Sequence, residues 1–307
     1  MAVAVGLAGY GAVAEVHARR LRRDPSARLV SVFGPNLKKA EAFARRMEIP
    51  RATDRFEDLI EASEAVIVAS PTACHFDQAR AALGRGRAVL VELPPCTSAA
   101  EAESLGEEAT RCGVVLQCAH TSRYLAPYER VREEIASGRL GAILAVDYTR
   151  CLKPRERSWQ DDALLHHTAH AVDLFLDWFG ECEPIAALTH PQEPPRRQVA
   201  FLARGGPSGA VALAAFLSYS SCWPRAETVI DGELAALGTD GFSYLRRNGV
   251  ETLLELDPEE TYESAIERQD RAFVAACRGE PAGIGWPETV RLMRRLDRLA
   301  ELAHQRR

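Results

Sequence analysis

Apolar and polar positions follow two different rhythms along this chain, and the change of rhythm near residue 120 divides it. Up to that point, near-continuous apolar runs at Val3–Ala8, Leu29–Phe33, Ala65–Ser70, Ala88–Glu92 and Val114–Cys118 have the texture of strands buried on both faces. Between them, Leu37–Met47, Cys74–Leu83 and Ser98–Cys112 repeat apolar residues at helical spacing. The last opens on Ser98-Ala99-Ala100-Glu101, a capping-box pattern. Regular alternation of strand and helix predicts a parallel sheet with helices on both faces. Beyond Cys118 the spacing predicts a helix over Tyr124–Ser137, a half-buried strand over Ala142–Cys151 and a helix over Asp161–Phe179. Strand-like runs follow at Ile185–Thr189, Gln198–Ala203, Gly209–Tyr219, Glu227–Asp231, Glu233–Gly238 and Val250–Leu256. Their short connections predict an antiparallel meander with one covered face. Amphipathic helices over Thr261–Cys277 and Pro287–His304 come last.

The 307 residues suffice for two domains of ordinary size. A hydrophobic content of 47% against 26% charged residues suits a soluble protein with a sizeable core. A net charge of -5 argues against a nucleic-acid partner, which needs a basic stripe. The opening MAVAVGLAGYGAVA has no basic segment and runs straight into a glycine loop, so it reads as a first strand rather than a leader. No run approaches the ~18 apolar residues of a membrane span, which excludes a membrane partner. The eight cysteines are scattered without a C-x-x-C pair. They read as small core residues in a reducing cytoplasm, not as zinc ligands.

Gly9, Gly11 and Ala14 fit G-x-G-x-x-G/A at the handover from the first strand to a helix. The first glycine makes the tight turn, and the second lets backbone approach a pyrophosphate. Ala14 permits close packing, while the helix start at Ala12 and Val13 faces the phosphates. This predicts a Rossmann dinucleotide-binding domain over residues 1–120. The second strand of such a domain usually ends in a carboxylate that holds the ribose hydroxyls. Here the place reads Phe33-Gly34-Pro35-Asn36, followed by Lys38 and Lys39. With no carboxylate to repel a 2′-phosphate and two cations nearby, Gly34 and Asn36 favour NADP, with NAD possible. Ser70, Pro71, Thr72 and His75 follow the fourth strand and are expected to border the cofactor's ribose and nicotinamide.

The helix over Asp161–Phe179 reads DDALLHHTAHAVDLFLDWF. His166, His170 and Asp173 fall at i, i+4 and i+7 and share one face. His167 lies roughly 100° away on the helical wheel and reads as structural or at the substrate edge. Paired imidazoles can also bind a metal, with Asp162 or Asp173 as third ligand. The dinucleotide context, which already supplies a chemistry, argues against a metal.

The order of these pieces resembles the Gfo/Idh/MocA family of nicotinamide-dependent oxidoreductases over essentially the whole chain. The matching stretches are GLAGYGAVAEVHA (Gly6–Ala18), VASPTACH (Val68–His75), VELPP (Val91–Pro95) and the helix with His170 and Asp173. The resemblance implies an α/β fold: the Rossmann domain, then an α/β domain with a large open antiparallel sheet over residues 121–307. It also implies a homodimer or homotetramer formed through that sheet, and a small-molecule substrate over the nicotinamide. The family commonly reads Glu-Lys-Pro where this chain reads Glu92-Leu93-Pro94, so the lysine that assists proton transfer is absent. His166 stands where many members carry an aspartate. HTSRY (His120–Tyr124) and RSWQDDALLHHTAHAVDLF (Arg157–Phe175) look like a narrower branch, the 4-carboxy-2-hydroxymuconate-6-semialdehyde dehydrogenases. That branch oxidises a carboxylated cyclic hemiacetal with NADP.

Hydride transfer from such a carbon needs a base on its oxygen. Without a lysine at position 93, His170 is the best base, oriented by His166 or Asp173. Glu92 and Leu93 are expected to shape the nicotinamide pocket. A guanidinium fork suits a carboxylate, so Arg123 and Arg157 are the first candidates for holding the substrate, with His120, Trp159, Asp161 and His167 as lesser ones. A sugar or cyclitol dehydrogenase is the alternative within the family. A cofactor-binding protein without catalysis is the alternative outside it, and Leu93 is the residue that favours it.

Overall fold

Hydrophobic alternation within each apolar run decides which side chains point to which layer. In the computed structural model, which describes residues 1–154, 162–206, 209–281 and 283–305, the chain forms two compact units. The first is Met1–His120 with Ile266–Arg291, and the second is Thr121–Ala265 with Leu292–Arg307. Segment 266–291 thus belongs with the first unit, whereas the sequence pattern assigns everything after residue 120 to the second.

The first unit runs β1 (Val3–Ala8), α1 (Ala12–Leu21), β2 (Ala27–Phe33), α2 (Leu37–Met47), β3 (Ala52–Thr53), α3 (Phe56–Ala62), β4 (Ala65–Val68), α4 (His75–Gly84), β5 (Ala88–Glu92), α5 (Ala99–Cys112) and β6 (Leu116–Ala119). The strands form one parallel sheet in the order β3-β2-β1-β4-β5-β6. Val3, Val5, Leu7, Ile67 and Leu90 point to one face, against Ala14, Ala18 and Leu21 of α1 and Phe43 of α2. Val66, Val68, Val89 and Val91 point to the other, against Leu59, Leu83 and Leu105. Two filled faces explain why these strands read as unbroken apolar runs. Phe273 and Val274 of the late helix complete the first face, which is the reason that helix joins this unit.

The second unit opens with α6 (Ala126–Ala136), β7 (Ile143–Cys151) and α7 (His166–Phe179). Strands β8 (Cys182–His190), β9 (Gln198–Gly205), β10 (Val211–Ser218), β11 (Arg225–Gly232), β12 (Ala236–Thr239), β13 (Tyr244–Arg247) and β14 (Glu251–Glu255) follow. The chain then forms α8 (Pro258–Cys277) and α9 (Trp286–His304). The eight strands order as β14-β13-β12-β11-β7-β10-β9-β8. This departs from a plain meander, because β7 inserts between β11 and β10 and runs parallel to β10. The covered face packs on α7: the Phe175 ring meets Tyr148 of β7 and Phe201 of β9 at 6.4 and 6.2 Å. Burying a side chain of that size stabilises by about 2–3 kcal/mol. On the opposite face Leu144, Ile185, Leu188, Leu202 and Phe216 remain 38% to 58% exposed. Among the described residues no helix is long and apolar enough to cross a membrane.

Candidate functional site: a glycine loop and a histidine face

The glycine loop joins β1 to α1. Gly9 has φ +118°, and a Cβ there would lie 2.4 Å from the Ala69 carbonyl oxygen, so only glycine permits this approach to the end of β4. Gly11 is different: its φ of −82° suits any residue, and a Cβ there would meet nothing within 4 Å. Neither torsion nor packing demands glycine at 11, whereas a pyrophosphate lying on the backbone would. No side chain caps α1, and the amides of its first residues, Ala12 and Val13, have no partner within the helix. Buried Ala14 packs against the sheet. These residues fit a dinucleotide's phosphates.

At the end of β2, an ideal Cβ on Gly34 would fall 2.0 Å from the Tyr10 ring. Glycine is therefore required there by Tyr10 of the glycine loop, and the carboxylate usual at this place has no room. The Asn36 side chain accepts the Lys39 amide at 3.1 Å and caps α2. Lys38 and Lys39 lie exposed in the first turn of that helix.

After β4, the Ser70 hydroxyl donates to Gln78 at 2.7 Å, and Pro71 leads into a 3-10 turn over Thr72–Cys74. The His75 ring is buried and sits 2.8 Å from the carbonyl oxygens of both Ser70 and Pro94. It thereby ties the loop after β4 to the loop after β5. Leu93 is buried, 3% exposed. Glu92 meets a residue that sequence reasoning missed. His17 Nε2 donates to its carboxylate at 3.0 Å, while Nδ1 lies 2.9 and 2.7 Å from the two oxygens of Asp270. Burial alone would lower the His17 pKa, but the charges and hydrogen bonds of Asp270 and Glu92 raise it to about 10. His17 is therefore an imidazolium held between two carboxylates. No local signal announces this, since Asp270 lies 253 residues away.

In the second unit, α7 begins at His166, and residues 162–165 precede it outside the helix. The Asp162 carboxylate accepts the amides of Leu164 and Leu165 and pairs with Arg196 at 3.2 Å. His166, His167 and His170 come together, with ring centroids 5.0 to 6.0 Å apart. His167 thus joins the cluster despite its angular offset, because neighbouring rings span that separation. Tyr219, also missed, packs 4.6 Å from the His167 ring, and its hydroxyl is hydrogen-bonded to His166 Nδ1. Ser122 Oγ lies 3.0 Å from His170 Nδ1.

Asp173 faces an arginine. Its buried carboxylate accepts from Arg123 Nε and Nη2 at 2.9 and 2.6 Å. The Arg123 fork, expected to hold a substrate, thus faces a protein carboxylate, with Asp177 a further 3.6 Å contact. Burial raises the Asp177 pKa, against the opposing charges of Arg123 and Arg132. His120 is fully buried in the first unit, 2.9 Å from the Thr289 hydroxyl. Arg157, Trp159 and Asp161 lie outside the described residues. Asp162 and Asp173, the suggested third metal ligands, are both engaged by arginines. Among the described residues no three His, Cys, Asp or Glu side chains cluster to hold a metal ion.

A parallel sheet in this strand order, with a bare helix start after a glycine loop, is a dinucleotide-binding architecture. Residues 3–120 match the GFO_IDH_MocA family, described as an oxidoreductase family with an NAD-binding Rossmann fold. Residues 3–120 thus carry the NAD-binding Rossmann domain of an oxidoreductase family, and the chain is similar to named dehydrogenases. It is 28% identical over 292 residues to 4-carboxy-2-hydroxymuconate-6-semialdehyde dehydrogenase of Sphingobium sp. (strain NBRC 103272 / SYK-6), covering 89% of this chain and 90% of that protein. It is 33% identical over 163 residues to glucose-6-phosphate 3-dehydrogenase of Bacillus subtilis (strain 168), covering 52% of this chain and 46% of that one. In fold it resembles GenD2 from gentamicin A biosynthesis in complex with NAD, with TM-score 0.86 at 21% identity, covering 100% of this chain and 95% of that one.

Proposed function

We propose that the chain is an NADP-preferring dehydrogenase that oxidises a small carboxylated cyclic hemiacetal or semialdehyde, with His170 as the base. The observation that carries this reading is the pairing of two facts: a leucine fills position 93, and an imidazole cluster is assembled on α7. The bound nicotinamide supplies the hydride acceptor. The chain's own residues do the rest. Ala12 and Val13 amides hold the phosphates, and Lys38 and Lys39 favour a 2′-phosphate near the end of β2. With Nδ1–H donating to Ser122 Oγ, His170 Nε2 carries the lone pair that takes the substrate hydroxyl's proton as the carbon gives up its hydride. Tyr219 orients His166 beside it. Leu93 can neither donate nor accept a proton, and buried as it is, it contributes shape.

A sugar or cyclitol substrate is the second reading, favoured by the likeness to glucose-6-phosphate 3-dehydrogenase. The apolar outer face of the eight-stranded sheet supports a homodimer or homotetramer, with β7 to β10 covered by another copy. Phe216→Asp with Leu202→Arg would then yield monomers in light scattering. Titration with NADPH and NADH, followed by nicotinamide fluorescence, tests the cofactor reading. Preferential binding of NADPH supports it, and preference for NADH would discard the phosphate argument.

A further inference from the structure

Several arginines of the second unit face carboxylates. Arg123 pairs with Asp173, Arg196 with Asp162 and Arg247 with Glu134. Arg150 has no such partner: its Nε is buried and unbonded, and no described carboxylate lies within ion-pairing distance. Strand alternation puts it on the same face as Val146 and Tyr148, the face under α7. Its guanidinium carbon stands 5.1 Å from the centre of the Phe242 ring. Burial opposes its charge and a hydrogen bond with Tyr148 supports it; a guanidinium stays protonated at any working pH. The cation is therefore kept, among aromatic walls, without a fixed counter-charge. Isolating a charge in that way is costly unless something compensates it.

Position connects Arg150 to the histidine face. Its strand partner on β10 is Leu217, and Tyr219 follows two residues further on the same alternation, about 7 Å along the chain. Tyr219 in turn bonds His166 and packs on His167. We propose that Arg150 is the receptor for a carboxylate of the substrate, with Phe242 beside it flanking a flat, conjugated ring. This rests on the reading of the second unit as the substrate-binding part. A planar carboxylate matches the guanidinium fork, and the Phe242 ring beside it matches a planar skeleton.

Calorimetric titration of the full chain with isophthalate, with and without NADPH, tests this, with isophthalamide as the uncharged control. Expected is binding of isophthalate but not isophthalamide, weakened at least tenfold in Arg150→Met. The melting temperature of Arg150→Met should stay unchanged or rise, since methionine removes a charge that nothing internal pairs. Arg150→Lys, which keeps the charge but loses the fork, should also bind at least tenfold more weakly, and it carries the test if the methionine variant does not fold. Equal binding by wild type and either variant, or no binding of isophthalate by wild type, would overturn the proposal. Arg150-dependent binding without turnover of any hemiacetal would instead overturn the dehydrogenase reading and leave the anion site standing.

Discussion

Replacing His17 with alanine removes the cation between Glu92 and Asp270 and leaves a fully buried carboxylate without its partner. The size of the effect follows from the imidazole itself. Raising its pKa from 6.5 to about 10 corresponds to roughly 5 kcal/mol at about 1.36 kcal/mol per pH unit. That figure is an upper bound, because desolvation of Asp270 opposes it; breaking a buried ion pair costs about 3–5 kcal/mol. For a unit of this size that loss lowers the melting temperature by roughly 6–20 °C. The sign with pH is fixed. A folded pKa above the unfolded one contributes stability that is complete below pH 6.5 and disappears as pH rises toward 10. The difference between wild type and His17→Ala should therefore be greatest near pH 6 and shrink on the way to pH 10. Calorimetric melting across that range reads it. The double variant His17→Leu, Asp270→Leu should recover part of the loss, because it removes both charges. A single variant within about 1 kcal/mol of wild type, or a difference that does not change with pH, would refute the reasoning.

Three further outcomes are expected. Asp173→Ala leaves Arg123 buried without its main partner and should destabilise the second unit by about 3–5 kcal/mol, measured by urea denaturation. Burial would raise the Glu134 pKa, but Arg139, Arg247 and Arg130 together lower it; stability from this carboxylate is present above its unfolded pKa and lost as pH falls through the folded one. Glu134→Gln should thus melt several degrees lower at neutral pH, with the gap closing in acid. Lys38→Glu with Lys39→Glu should weaken NADPH binding on the order of tenfold, about 1.4 kcal/mol, with NADH nearly unaffected in the same fluorescence titration.

The sequence made the layers of the first unit legible because parallel strands buried on both faces leave unbroken apolar runs between amphipathic helices. The short strand β3 and the four residues of β13 carry too little pattern to stand out. The place of β7 between β10 and β11 is set by long-range pairing, which no local spacing encodes. Within the site, the glycine loop is local chemistry and was readable residue by residue. The partners were not. Arg123 on Asp173 and His17 between Glu92 and Asp270 join residues 50, 75 and 253 positions apart. Side chains chosen for their ability to bind a substrate carboxylate bind a protein carboxylate equally well, so composition alone could not say which arginine is committed. Gly34 is a case where the reading was local but the cause was not: the missing carboxylate follows from the Tyr10 ring lying against it.

The most direct test of the dehydrogenase reading is the steady-state rate of nicotinamide reduction by His170→Ala, with a carboxylated cyclic hemiacetal as substrate. Loss of a general base predicts a fall in kcat of about 10²–10⁴, with NADPH affinity unchanged because the glycine loop is untouched. Turnover equal to wild type would contradict the account and move the base elsewhere.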